Sequence, residues 1–129
     1  MVGVPASRKH GFTLIELIVT LSIIALLVSI VAPHYTGRIL RAEETVLREN
    51  LLLLRDALDK HYSDAGRYPD ALPELVSKRY LRAIPRDPIT HSTDTWVVVP
   101  PADRETGGVY DVHSAATGVG TDGKAYAQW

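Results

Sequence analysis

Glu16 is the first residue in this chain whose type and position demand an explanation. It is the single charge in the run FTLIELIVTLSIIALLVSIVA, from Phe12 to Ala32, where 14 of 21 residues are Phe, Leu, Ile or Val. A carboxylate in so apolar a stretch is costly unless a partner neutralises it. The positions one helical turn on, i+3 and i+4, are Val19 and Thr20, so the partner must come from elsewhere. A free α-amino group, with a reference pKa of about 7.7–8.0, would serve. Cutting the chain after Gly11 would create one on Phe12. That amine lies too close in sequence to its own Glu16 to explain the arrangement alone. A neighbouring copy shifted along the helix axis could place its Phe12 ammonium against this Glu16, so that the two buried charges neutralise each other and set the register.

The other chemistry-bearing side chains form weaker patterns. The five histidines, His10, His34, His61, His91 and His113, have no H-x-x-x-H spacing and support no zinc site. Asp111, His113 and Ser114 are close in sequence. On a strand, Asp111 and His113 would share a face and Ser114 would point away, which opposes a catalytic triad. The chain has no G-x-S-x-G, phosphate-binding loop or dinucleotide fingerprint, so the expectation is a protein that is not an enzyme. It has no cysteine, which excludes disulfides, thiolate metal sites and cysteine nucleophiles. A net charge of −1, with no basic run beyond Arg8-Lys9, gives no case for nucleic acid.

The element that must carry Glu16 is a helix. Twenty-one residues at about 1.5 Å each give roughly 31 Å, the thickness of a bilayer's hydrocarbon core. The large apolar residues contribute about −6 kcal/mol to insertion, against about 3 kcal/mol for one acid at the bilayer centre and less near an end. Arg8 and Lys9 precede the run and place the N-terminus in the cytoplasm by the positive-inside rule. Three other readings compete. A cleaved secretory signal would have a shorter apolar region and an A-x-A-like site. A plain signal anchor would leave Glu16 unexplained. A buried core helix this apolar is long for so small a domain.

Residues Lys9 to Glu16, KHGFTLIE, with the apolar run behind them, resemble the N-terminal signal of type IV pilins and type II secretion pseudopilins. The resemblance implies a leader peptide over residues 1–11, cleavage between Gly11 and Phe12 by prepilin peptidase, and N-methylation of Phe12. It also implies a transmembrane and assembly helix over 12–32, assembly roles for Thr13, Glu16 and Pro33, and a globular periplasmic domain over 33–129. Pro33 falls where the family often kinks its helix, as its missing N–H would allow.

Beyond Pro33 a one-sided stripe of Leu40, Leu47, Leu51, Leu54, Leu58 and Tyr62 predicts that the helix continues to a stop at Gly66. Leu52 and Leu53 widen the apolar face, and deeper packing on the domain is favoured over contact with another subunit's helix. Glu44–Arg48, Arg55–Asp59 and Asp56–Lys60 read as i,i+4 pairs on a solvated face. Asp70 is expected to cap a short helix through about Lys78, with Pro73 in its first turn. Strands are expected over 95–99 and 109–113, a loop over 118–123, and a short last strand over 125–129. The fold class is α+β: a long N-terminal helix, half transmembrane and half amphipathic, packed on a small antiparallel sheet in a pilin-like lollipop.

The segments GRYP, LPELV, YLRAIPRDP, a Trp strand, YDVHS and the final Trp129 resemble the major pseudopilin of type II secretion in the same order. Ile89-Thr90 replaces that protein's usual Trp-Gly. Type IV major pilins usually close a loop with a disulfide, which a chain without cysteine cannot do. The resemblance implies a calcium-binding C-terminal loop, with Ser114 and Asp122 as candidate ligands. Lys124 stands near the place of a second aspartate, and calcium needs six to eight oxygens and negative charge. A loop held by its own hydrogen bonds is therefore favoured, and no cofactor is firmly expected. The implied function is a homopolymeric subunit of the secretion pseudopilus. Its partners would be prepilin peptidase, the assembly platform and minor pseudopilins, and its location the bacterial inner membrane in a single pass, then a periplasmic filament. The alternatives are a type IV pilin or minor pilin for adhesion, motility or DNA uptake, and a membrane-anchored binding domain that never assembles.

Overall fold

The computed structural model describes residues 2–6 and 10–129; the Arg8-Lys9 pair behind the expected orientation lies outside the described residues. The chain divides into two compact units, Met1–Arg38 and Ile39–Trp129.

Helix α1 spans Leu14–Ala65 and contains Pro33. In the first unit the described residues from 10 to 33 are all exposed. The polar side chains along this part turn back on the helix. Thr20 and Ser22 donate to the carbonyls of Glu16 and Ile18, each at 2.7 Å, and Thr36 donates to Pro33 at 3.1 Å. Hydroxyls satisfied in this way need no water, which suits an apolar solvent.

In the second unit α1 buries one face. Leu47, Leu51, Leu54 and Leu58 are 0–2 % exposed, each stabilising by about 2 kcal/mol relative to exposure. The buried face also takes in Glu44 and His61, while Leu40 and Tyr62 at its ends are 37 % and 42 % exposed. Leu52 and Leu53 do not pack deeper on the domain. They are 65 % and 48 % exposed, because the core side of α1 is already filled by residues three and four positions apart.

Gly66 ends the helix with φ +71° and an N–H donated to Tyr62 at 2.8 Å, a conformation a Cβ would oppose. Helix α2 follows over Leu72–Ser77. Its cap position is Ala71, not Asp70, and no side chain caps it. Asp70 lies one residue too early. Its carboxylate pairs with Arg67 at 2.6 Å, and its N–H donates to Glu74 at 2.7 Å.

Strands β1, Trp96–Val99, and β2, Asp111–Ser114, form a two-stranded antiparallel sheet that pairs Trp96 with Ser114 and Val99 with Asp111. Trp96 Nε1 donates to the Pro85 carbonyl at 2.9 Å and anchors the extended segment before β1. Before β2, the backbone presses against the turn at 68–70. Gly108 and Val109 donate to the Pro69 carbonyl at 3.1 and 3.0 Å, and a Cβ on Gly107 would collide with the Tyr68 carbonyl oxygen.

The last segment is not a strand. Tyr126–Gln128 is a turn of 3-10 helix, with an isolated bridge between Val119 and Ala125. In such a turn residues three apart eclipse. Tyr126 and Trp129 accordingly meet edge to face, with ring centroids 5.1 Å apart.

Candidate processing and assembly site

The expected cleavage residues Gly11 and Phe12 and the assembly residues Thr13 and Glu16 surround the start of α1, while the third assembly residue, Pro33, lies within it. Thr13 Oγ1 accepts the Glu16 N–H at 3.2 Å, and the Thr13 carbonyl accepts the Leu17 N–H at 3.1 Å. Thr13-Leu14-Ile15-Glu16 thus has the spacing of a capping box, with the Thr13 half formed. The S/T-x-x-E signature was readable in the sequence, and it gives Thr13 and Glu16 a local role in starting the helix. That role uses the Glu16 backbone and leaves its carboxylate exposed. An acid in the first turn also suits the helix dipole.

Just upstream, a Cβ at Gly11 would meet nothing within 4 Å. This chain's own fold therefore makes no demand for glycine there. Phe12 is 84 % exposed, followed by Leu14 at 76 % and Ile15 at 71 %. Gly11 and Phe12 are accessible in the first unit, next to a capped helix end.

The calcium candidates fall into different bonding sets. Ser114 is buried and donates a short hydrogen bond to Asp87. Asp87, 0 % exposed, also accepts the N–H groups of Ile89 and Thr90. Asp122 accepts from Arg48 at 2.9 Å and from the Lys124 N–H at 3.0 Å. Among the described residues, no three His, Asp or Glu side chains gather as a metal would need. His113 lies 3.6 Å from Asp111, on the same face as expected, while Ser114 faces Asp87.

What holds the C-terminal loop is Glu44, a residue the sequence alone pairs with Arg48. Glu44 is 3 % exposed, and its carboxylate accepts from the Thr121 N–H, the Thr121 hydroxyl and the Tyr126 hydroxyl. Burial raises its pKa, but the Thr121 and Tyr126 hydrogen bonds and the Arg48 charge outweigh that, so the carboxyl titrates below its usual range. Burial and the bond to Glu44 push the Tyr126 hydroxyl up. Arg48 instead reaches Asp122 and lies 4.2 Å from the Trp129 ring centre. Arg55 likewise leaves Asp59 and bonds Asp111 at 2.7 Å, with its second arm on the Trp129 carbonyl at 2.7 Å. Of the three expected surface pairs only Asp56–Lys60 forms, at 2.7 Å.

At the other end of the domain, His61 is 1 % exposed. Its Nδ1 lies 2.8 Å from the Arg67 carbonyl, which can only accept, so Nδ1 carries the proton. Glu74, bonded to Lys78 and to the Asp70 N–H, is held down to about 2, with the Lys78 hydrogen bond the largest cause.

The prokaryotic N-terminal methylation motif matches residues 6–32. Type II secretion system core protein G of Aeromonas hydrophila is 34 % identical over 97 residues, covering 63 % of this chain and 68 % of that protein. The protein of the same name from Escherichia coli strain K12 is 29 % identical over 133 residues, covering 91 % and 85 %. Type IV major pilin protein PilA of Myxococcus xanthus is 34 % identical over 68 residues, covering 53 % of this chain and 31 % of that protein. No solved structure gives a significant match. A methylation motif opening a long apolar helix, with a small antiparallel sheet behind it, defines a protein of the pilin class. Within that class, the chain belongs to the type II secretion system core protein G family.

Proposed function

We propose that this chain is a structural subunit of the type II secretion pseudopilus. Prepilin peptidase cuts it between Gly11 and Phe12, and Phe12 is N-methylated. The segment 12–32 holds the subunit in the inner membrane, with the N-terminus cytoplasmic and residues 33–129 periplasmic. Subunits then leave the bilayer and polymerise, with the assembly platform and minor pseudopilins, to drive export across the outer membrane. The wide match to core protein G, against a match to PilA over 53 % of the chain, favours secretion over a surface pilus.

The observation that carries the assembly reading is apolar surface with no cover. Residues 14–33 are exposed throughout, and Leu52 and Leu53 remain exposed within the second unit. Lipid can cover the first set, but Leu52 and Leu53 belong to the part of α1 expected in water. Contact with a neighbouring helix would cover both sets, and that packing must replace lipid when a subunit leaves the bilayer. Glu16 fits the same scheme, facing the methylated amine of the next copy.

Mass spectrometry of the mature protein should find N-methyl-Phe12 as its first residue; an intact leader removes the reading. Glu16→Ala should insert and be processed yet fail to assemble, and normal filaments from it would remove the pairing. Deletion should stop export and spare surface pili.

A further inference from the structure

Arg38, with Arg41 one turn on, differs from the cations further along α1. Arg48, Arg55 and Lys60 each pair with a carboxylate, as do Arg67 and Lys78 beyond. Like Arg41, Arg38 pairs with no carboxylate among the described residues, but Arg38 lines a groove on the helix. It also stands on the side of the apolar run where the positive-inside rule disfavours cations, so an anion there would account for it.

The surroundings of Arg38 have the layout of an amphiphile. A groove of about 360 Å³ is lined by Ile30, Val31, Tyr35 and Arg38. Beside it, across Tyr35, runs a second groove of about 500 Å³ lined by Leu27, Val28, Val31, Ala32, Tyr35 and Thr36. Tyr35 is 65 % exposed and borders both. The aliphatic lining lies toward the apolar run, and the phenol and guanidinium lie at the far end.

The axial distances agree. Tyr35 lies about 4.5 Å past Ala32 and Arg38 about 9 Å past it, at 1.5 Å per residue. The polar layer of a bilayer is about 5–8 Å deep on each side. Tyr35 therefore falls inside it and Arg38 at its outer edge, where a long side chain reaches back into the layer. Residues three apart on a helix are neighbours, so one phosphate can meet both the Tyr35 hydroxyl and the Arg38 guanidinium while an acyl chain follows Ile30 and Val31.

We propose that Tyr35 and Arg38 form a headgroup site for an anionic phospholipid, which fixes the depth of the helix before assembly. The proposal rests on the membrane-spanning reading and is independent of filament formation. Leaving the bilayer would then require release of this lipid as well as of the apolar surface.

The test uses the full processed chain in detergent with phosphatidylglycerol, read by native mass spectrometry. Wild type should retain the lipid, and Arg38→Gln should retain about tenfold less, as loss of a charge-assisted phosphate bond implies. Tyr35→Leu should weaken retention to a lesser degree, and Arg82→Gln, an exposed arginine elsewhere, should match wild type. Unchanged helicity by circular dichroism keeps Arg38→Gln interpretable. Equal retention by Arg38→Gln overturns the proposal, as does equal loss by Arg82→Gln. Displacement by inorganic phosphate would mean a free anion site and also overturns it. In vesicles, rapid disulfide formation by Thr36→Cys would show a second copy on this face and would likewise overturn the lipid site. A protein that fails here but starts at N-methyl-Phe12 and exports normally refutes only the lipid site.

Discussion

One helix serves two regions of this molecule that satisfy their apolar residues in opposite ways. In Ile39–Trp129, α1 turns Leu47, Leu51, Leu54 and Leu58 into a covered core. In Met1–Arg38, the same helix leaves Leu17, Ile18, Leu21, Ile24 and Leu27 about half exposed or more. The C-terminal region carries its cover with it. The N-terminal region has no such cover of its own, and in the proposed function lipid and then other copies would supply it. Polar groups divide in the same way. In the N-terminal region, hydroxyls bond to their own helix. In the C-terminal region, buried carboxylates reach across the fold, Glu44 to Thr121 and Tyr126 and Asp87 to Ser114.

The contrast can be broken most strongly through the core. Leu54→Ala should destabilise the C-terminal region by about 3 kcal/mol, the usual cost of a buried leucine cavity, seen as a lower urea midpoint. Leu21→Ala should leave that midpoint unchanged and show its effect only in assembly. Equal midpoints for both variants would mean that the two regions do not divide as described.

Next comes the Glu44 anchor. Glu44→Ala strands the Thr121 N–H and two hydroxyls, and should cost about 2–3 kcal/mol. The C-terminal segment from 118 onward should lose hydrogen-exchange protection before the sheet does. Uniform loss of protection would show that the segment is not separately held.

Acid provides a third test. Glu44 and Glu74 both titrate lower in the fold than the ordinary 4.5, Glu74 at about 2. The folded state therefore binds fewer protons than the unfolded chain across that range. Stability present above pH 4.5 is lost as pH falls toward 2. Melting temperatures should drop over that window, and Glu74→Gln should flatten part of the drop.

The smallest expected effect concerns calcium. Arg48 and the Lys124 N–H already occupy Asp122, and Ser114 is committed to Asp87. Melting temperatures in calcium and in chelator should therefore coincide; a clear rise with calcium would assign the ion to the loop.

Local features were legible in the sequence. The helix, its Gly66 stop and the Val-rich strand follow from periodicity, backbone freedom and β-branching. Long-range partners were not. Glu44 bonds residues 77 and 82 positions away, and no i,i+4 rule can see that. A clue was present nonetheless. Glu44, Leu47, Leu51, Leu54, Leu58 and His61 keep the four-and-three spacing of one helix face, so an acid and a histidine stood in the core stripe from the start. The final 3-10 turn was missed because Tyr126 and Trp129 had to meet on one side, a tertiary demand that overrides strand propensity. The expected Asp70 cap failed by one position, where boundary reading from sequence is weakest.

The backbone contact at Gly107 limits where the chain can lengthen. With Thr106, Gly108 and Val109 tied to Tyr68 and Pro69 by main-chain bonds, an extra residue there would pry two turns apart. The short helical turn Arg104–Thr106 buries no residue but shares that clamp at its end, where the Thr106 carbonyl accepts the Tyr68 N–H at 2.6 Å. A peptide epitope spliced before the turn, between the exposed Ala102 and Asp103, would leave the Asp103 cap and the Tyr68 bond intact and offer a handle for seeing where the subunit goes.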